Sequence, residues 1–295
     1  MSDAPASGLV VVDKPGGWTS HDVVGRTRRL AGTRKVGHAG TLDPMATGVL
    51  VLGVNRATRL LGHLTLADKD YEATVRLGQV TTTDDAEGEL VRSTSASGLD
   101  DARVAAAALA HVGDISQVPS SVSAVKIDGR RAYARVRDGE TVEIPPRDVH
   151  VARFDVGPLR PADVDGCIDL DVRVTCSSGT YVRALARDLG EDLGVGGHLT
   201  ALRRTRVGGF GLDVARTLDE LAVSFSMVSI DDAARAAFPS LDLDADTARD
   251  VRFGRPLPGL DLGATGAVAV FDGAEFLALY EQRGADARPV AVFVG

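Results

Sequence analysis

The sequence predicts a large body of strands interleaved with helices, α/β or α+β with a mixed or antiparallel sheet, followed by a small β-domain. Three observations predict it. Alternating apolar and polar residues at 70–78 (DYEATVRLG) and 167–176 (CIDLDVRVTC) mark half-buried strands. Helical spacing at 20–30 and at 180–194 (TYVRALARDLGEDLG) falls between strand-like stretches. Beyond residue 220, short apolar runs (GAVAV, EFLALY, ARPVAVFVG) are parted by Gly, Asp and Pro.

Each element has a local reason. LVVVDKPGG, from Leu9, is a short apolar strand closed by Pro15, Gly16 and Gly17. Ser20 is the expected N-cap of a helix to Leu30, with Val23, Val24, Thr27 and Leu30 on one face. A short basic strand leads to the loop GHAGTLDPMATG (37–48), VLVLG follows as a buried strand, and NRATRLLGHL reads as a helix capped by Asn55. TTTDDAEG after the strand at 70–78 is polar and turn-rich, and Ser97 with Asp100 suggests a capping box opening an Ala-rich helix to His111. Between Asp231 and Asp250 the acidic, Ala-rich chain fits a linker or short helical approach to the C-terminal strands.

With 295 residues, 44% of them hydrophobic and 25% charged, the chain has ordinary globular composition. No run approaches the roughly 18 apolar residues of a membrane helix, and MSDAPASG lacks the apolar core of a signal peptide, so a cytoplasmic location is expected. Cys167 and Cys176 lie nine residues apart on one strand, about 30 Å of extended chain, too far for a disulfide.

The net charge of −8 argues against a nucleic-acid partner until its distribution is read. Residues 217–295 carry six basic and thirteen acidic side chains, so the rest of the chain is nearly neutral. There the basic residues are bunched: Arg26, Arg28, Arg29, Arg34 and Lys35; then Lys126, Arg130, Arg131, Arg135 and Arg137; then Arg203, Arg204 and Arg206. Three such clusters suggest a phosphate-binding surface.

The loop GHAGTLDPMATG sets one acid, Asp43, among glycines and before Pro44, which disfavours helix at Asp43 and holds its carboxylate out for use. An Asp-Pro turn that caps a backbone amide is the structural alternative. His38, Asp43 and His198 match no compact metal-ligand spacing, so no metal is expected. No GxSxG elbow, GxxxxGK[ST] loop or GxGxxG after a strand is present, which argues against a serine triad and nucleotide cofactors.

The run GHAGTLDPMATGVL resembles the defining motif of the bacterial tRNA pseudouridine-55 synthases, the TruB family. Four further segments agree in order: VVDKPGGWTSHDVV, KDYEATVRLG from Lys69, QVPSSVSAVKIDGRRAY from Gln117, and CSSGTYVRALARDLGEDLGVGGHLTALRRTRVGGF from Cys176. Together they span about residues 8–212. The guide-RNA-dependent relatives share a similar aspartate loop, and the large-subunit ribosomal synthases carry a shorter one.

The resemblance implies an α+β fold with a mixed, largely antiparallel sheet and flanking helices over 1–220, an RNA-binding insertion around 120–147, and a PUA-like β-domain over 221–295. It implies isomerisation of the T-loop uridine at position 55 without cofactor or metal, with the tRNA T-stem-loop as partner and no obligate protein partner. Asp43 would act as nucleophile or base, in its ionised form, paired with Arg183. Tyr71 would stack on the target uracil, with Tyr181 supporting the pocket wall and Lys14, beside Pro15, buttressing the floor. His38 would enter the T-loop where bases have left the stack. Lys126, Arg130 and Arg131, with Tyr133, belong to the insertion segment, and Arg203 and Arg204 follow the GGH turn as RNA contacts. A non-catalytic RNA-binding or tRNA-folding protein on the same scaffold is the alternative.

Overall fold

The computed structural model describes residues 6–120, 126–127, 130–131 and 144–294. The chain opens with β1 (Gly8–Lys14), α1 (Ser20–Leu30), β2 (Val36–Ala39) and β3 (Thr47–Val54), then a 3-10 turn (Asn55–Leu60) running into α2 (Leu61–Thr65). Next come β4 (Lys69–Leu77), β5 (Gln79–Thr81), β6 (Leu90–Ser93), α3 (Asp101–Leu109), β7 (Gly113–Gln117), β8 (Lys126–Ile127) and β9 (Arg130–Arg131). β10 (Arg147–Val156), β11 (Arg160–Pro161), β12 (Ile168–Cys176), α4 (Val182–Asp192) and β13 (Gly197–Val207) follow. The last stretch holds β14 (Phe210–Gly211), α5 (Leu218–Val223), β15 (Val228–Ser229), α6 (Ile230–Ala237), β16 (Ser240–Asp242), α7 (Ala245–Arg252), β17 (Ala267–Asp272), β18 (Glu275–Arg283) and β19 (Asp286–Val292). These elements form two compact units, one of Met1–Pro44, Gly48–Leu66 and Val207–Gly295, the other of Met45–Thr47 and Ala67–Arg206.

In the first unit β1 lies antiparallel between β15 and β3, with β2 on the other edge of β3. A second sheet runs β16-β17-β18-β19, with β16 and β17 parallel and the rest antiparallel. One apolar core joins Leu9, Val11, Val49 and Val51 to Phe271, Phe276, Leu279 and Phe293. Phe276 lies 5.5 Å from Phe271 and 4.8 Å from Phe293, centroid to centroid, and each such pair is worth about 0.5–1.5 kcal/mol beyond its burial. The acidic stretch, expected as a linker or a short helical approach, is α6, the parallel strand β16 and α7.

The second unit holds a sheet in the order β13-β4-β12-β10-β7, antiparallel from β4 through β7. The alternation read from the sequence holds: Tyr71, Ala73, Val75 and Leu77 of β4 and Leu170, Val172, Val174 and Cys176 of β12 are buried. Glu72, Asp171 and Arg173, on the other face, are exposed. Cys167 and Cys176 are free, buried thiols; burial pushes the Cys176 thiol up to about 11. Gly190 lets α4 close onto the following turn, since a Cβ there would stand 2.2 Å from the Gly196 carbonyl carbon.

Three caps differ from the sequence reading. Thr19 caps α1, in a capping box with Asp22, because the helix begins at Ser20 itself. Asn55 caps nothing; it sits at φ 55° and donates to Ala6 O at 2.7 Å, an asparagine tolerating the left-handed region. Asp100, not Ser97, caps α3 by accepting from Arg103 N at 2.8 Å.

Candidate active site

The aspartate loop lies between β2 and β3, and Asp43 itself belongs to the first unit. Asp43 is half-buried and belongs to neither helix nor strand, and glycines at positive φ stand on both sides, Gly40 at 82° and Gly48 at 98°. The loop is braced through its backbone on either side of Asp43. Ser20 Oγ, fully buried, donates to Leu42 O at 3.1 Å and accepts from Leu42 N at 2.9 Å. Lys14 Nζ donates to Pro44 O at 3.2 Å, and Gly17 N donates to the same carbonyl at 2.9 Å. The spacing of α1 makes Ser20 an expected helix cap; standing one position inside the helix, it shapes the aspartate loop instead.

Lys14 is wholly buried and gathers the carbonyls of Pro15 at 2.9 Å and Trp18 at 2.7 Å as well. It is therefore a brace for the loop. His38, half-buried on β2 opposite Leu52, packs edge-on against His21 at 5.8 Å. Replacing Ser20 with alanine should leave the Leu42 amide unsatisfied, costing about 1–3 kcal/mol of stability and slowing turnover. Thermal denaturation and single-turnover kinetics check both, and an unchanged rate would detach Ser20 from the loop's function.

Tyr71 and Arg183 lie in the second unit. Tyr71 is 8% exposed, on the inner face of β4 opposite Val174. Lys69 shares that face, donating to Ala67 O at 2.6 Å. Burial, with the Arg204 cation adding to it, pushes the Lys69 ammonium down to about 8. Arg183, on the first turn of α4, is buried; it donates to Thr83 O at 2.8 Å and pairs with Asp85 at 3.3 Å, each side chain being 4% exposed. Asp85 also accepts from Glu87 N at 3.1 Å and from Thr83 Oγ1. One helical turn later Arg187 meets Asp84 at 3.1 Å and Val118 O at 2.8 Å. Asp84 and Asp85 of the TTTDDAEG stretch are thus a buried acidic seat for α4. Tyr181, the residue before that helix, is half-buried.

The basic clusters divide. Arg28, Arg29, Arg34 and Lys35 are exposed. In the third cluster, burial of Arg204 and the ion pairing of Arg206 take up two of the three arginines expected on a phosphate-binding surface. Arg204 is 1% exposed and buried in the sheet, and Arg206 makes a bidentate pair with Asp70 at 2.6 and 2.8 Å. Arg203, half-buried, donates to Thr47 Oγ1 at 3.2 Å. Lys126 pairs with Arg131 across the β8–β9 hairpin; the side chains of Lys126, Arg130 and Arg131, and all of Tyr133, lie outside the described residues. Among the described residues no group of three His, Cys, Asp or Glu could hold a metal ion, and no helix is long and apolar enough to cross a membrane.

Residues 28–182 match the model of the N-terminal domain of TruB family pseudouridylate synthases. The chain belongs to the TruB family. Residues 183–239 match the tRNA pseudouridylate synthase B C-terminal domain, and 238–294 match tRNA pseudouridine synthase II, C terminal. The chain is 60% identical to "tRNA pseudouridine synthase B" of Nocardia farcinica over 98% of its length and 94% of that protein. It is 59% identical to the protein of that name from Thermobifida fusca, over 98% and 99%. Among solved structures, a chain of a Cbf5-Nop10-Gar1 complex aligns at a TM-score of 0.72 and 25% identity, covering 97% of this chain and 85% of that one. The TruB fold implied by the five ordered segments, a mixed, largely antiparallel sheet with flanking helices and a C-terminal sheet, is the fold present.

Proposed function

We infer that this chain is a tRNA pseudouridine synthase that isomerises the uridine at position 55 of the T-loop. The observation that carries the reading is Asp43, set in a loop braced through the Leu42 and Pro44 backbones, in a chain whose relatives are named for this reaction. The isomerisation breaks the N1–C1′ bond, turns the uracil and joins C5 to C1′; the C5 proton leaves and N1 is protonated. Electrons balance within the nucleotide, so the reaction asks for no redox cofactor.

Asp43 serves as the nucleophile at the sugar or as the base assisting loss of uracil, and either role uses its ionised form. Tyr71 stacks on the uracil and assists removal of the C5 proton; Arg183 is the cation the family pairs with the aspartate. His38 enters the T-loop, Lys14 underpins the floor, and Tyr181 supports the wall. A T-loop base is stacked, so the enzyme must extrude it, at a cost of a few kcal/mol that phosphate contacts offset. Those contacts come from the exposed arginines around α1, from the insertion carrying Lys126, Arg130 and Arg131, and from Arg203. The C-terminal sheet is the PUA-like module on the RNA, and the enzyme works in the cytoplasm with its tRNA.

Incubating the enzyme with unmodified tRNA and mapping pseudouridine by carbodiimide-blocked primer extension should give one stop, at the T-loop uridine. A stop elsewhere would reassign the substrate. Converting both Arg130 and Arg131 to alanine should weaken tRNA binding and flatten the dependence of log Kd on log salt by roughly 0.7–0.9 for each phosphate no longer neutralised. An unchanged slope would remove both residues from the RNA interface.

A further inference from the structure

Gln117 ends β7 and is 2% exposed. Its carboxamide grips the backbone of one residue from both sides: Tyr181 N donates to Gln117 Oε1 at 2.8 Å, and Gln117 Nε2 donates to Tyr181 O at 3.1 Å. Tyr181 is the N-cap position of α4, and its own side chain makes no capping hydrogen bond. An unsupported helix start leaves backbone amides without partners; here a side chain from a distant strand takes that place.

The grip is continuous with the seat of the helix. Arg183 and Arg187 extend to Thr83, Asp84 and Asp85, and Arg187 also donates to Val118 O, the residue after Gln117. The first two turns of α4 are thus held between the 83–85 turn and the end of β7. A carboxamide offers one acceptor and one donor in the plane that matches a peptide N–H and C=O, as an ionised carboxylate does not; asparagine has the same group on a shorter arm.

We propose that Gln117 is a positioning residue for the isomerisation: it fixes the start of α4 and so sets Arg183 and Tyr181. This rests on the part assigned above to Arg183. The test compares full-length wild-type, Gln117→Met, Gln117→Glu and Arg183→Ala on an unmodified tRNA transcript, reading single-turnover rate, tRNA Kd and far-UV circular dichroism. Gln117→Met should slow the chemical step roughly ten- to hundredfold with Kd and fold unchanged, the scale for a reacting group displaced by about an ångström.

Gln117→Glu adds a readout that a packing role would not move. A buried carboxyl favours its neutral form, which restores a donor to Tyr181 O, so its rate should recover relative to wild type as the pH falls, while that of Gln117→Met should not. A wild-type rate in Gln117→Met beside an impaired Arg183→Ala overturns the proposal alone. So does a deficit matched by lost tRNA affinity or lost fold. A wild-type rate in Arg183→Ala overturns the reading of Arg183 on which the proposal rests.

Discussion

Replacing Asp85 with alanine should disable the enzyme as thoroughly as replacing Arg183, although Asp85 lies in a stretch that reads as a surface turn. The two form an ion pair at 3.3 Å with each side chain 4% exposed. Removing either partner breaks this buried ion pair, which costs about 3–5 kcal/mol. For a domain of marginal stability that is a large share of the total. The double variant Arg183→Met with Asp85→Leu removes both charges and should regain much of the lost stability, because buried pairs replaced by apolar groups are often neutral. It should not regain activity. Thermal unfolding and turnover, measured on all three variants, separate the two contributions; recovered turnover in the double variant would make the pair purely structural.

The largest effect on chemistry is expected at Asp43. Asparagine keeps its size and removes its charge, and the braces that hold the loop run to the Leu42 and Pro44 backbones rather than through the position exchanged. The loop should therefore persist, and tRNA affinity with it. Modification should fall by roughly 10⁴-fold or more, the scale seen when a catalytic nucleophile is removed. Filter binding and single-turnover modification on one preparation check both halves; a parallel loss of affinity would mean that Asp43 holds RNA rather than transforms it.

What could be read from the sequence was what is written locally. The β4 and β12 strands follow from alternation, and Gly40, Gly48 and Pro44 mark the Asp43 loop without any tertiary information. Cap positions slipped by a few residues, because Thr19 and Ser20 are equally good caps in isolation and only the fold commits Ser20 to Leu42. The seat of α4 was illegible for a different reason. Asp85 meets a guanidinium about a hundred residues downstream, and nothing in TTTDDAEG marks which of its acids is buried. Arg204 and Arg206 were illegible in the opposite direction, since a run of like charges reads as solvated until the fold sets Arg204 inside and Arg206 against Asp70.

Everything proposed for this site turns on Asp43 driving formation of a carbon–carbon bond between C5 and C1′ in a T-loop uridine. Tritium release from tRNA carrying 5-tritiated uridine is the decisive assay, because C5 gives up its hydrogen only once it has bonded to C1′. Release is expected from the wild-type enzyme, none from Asp43→Asn, and none with tRNA whose T-loop uridine is replaced by cytidine. Release that survives either change, or tight tRNA binding by the wild-type chain with no release at all, would contradict that role for Asp43.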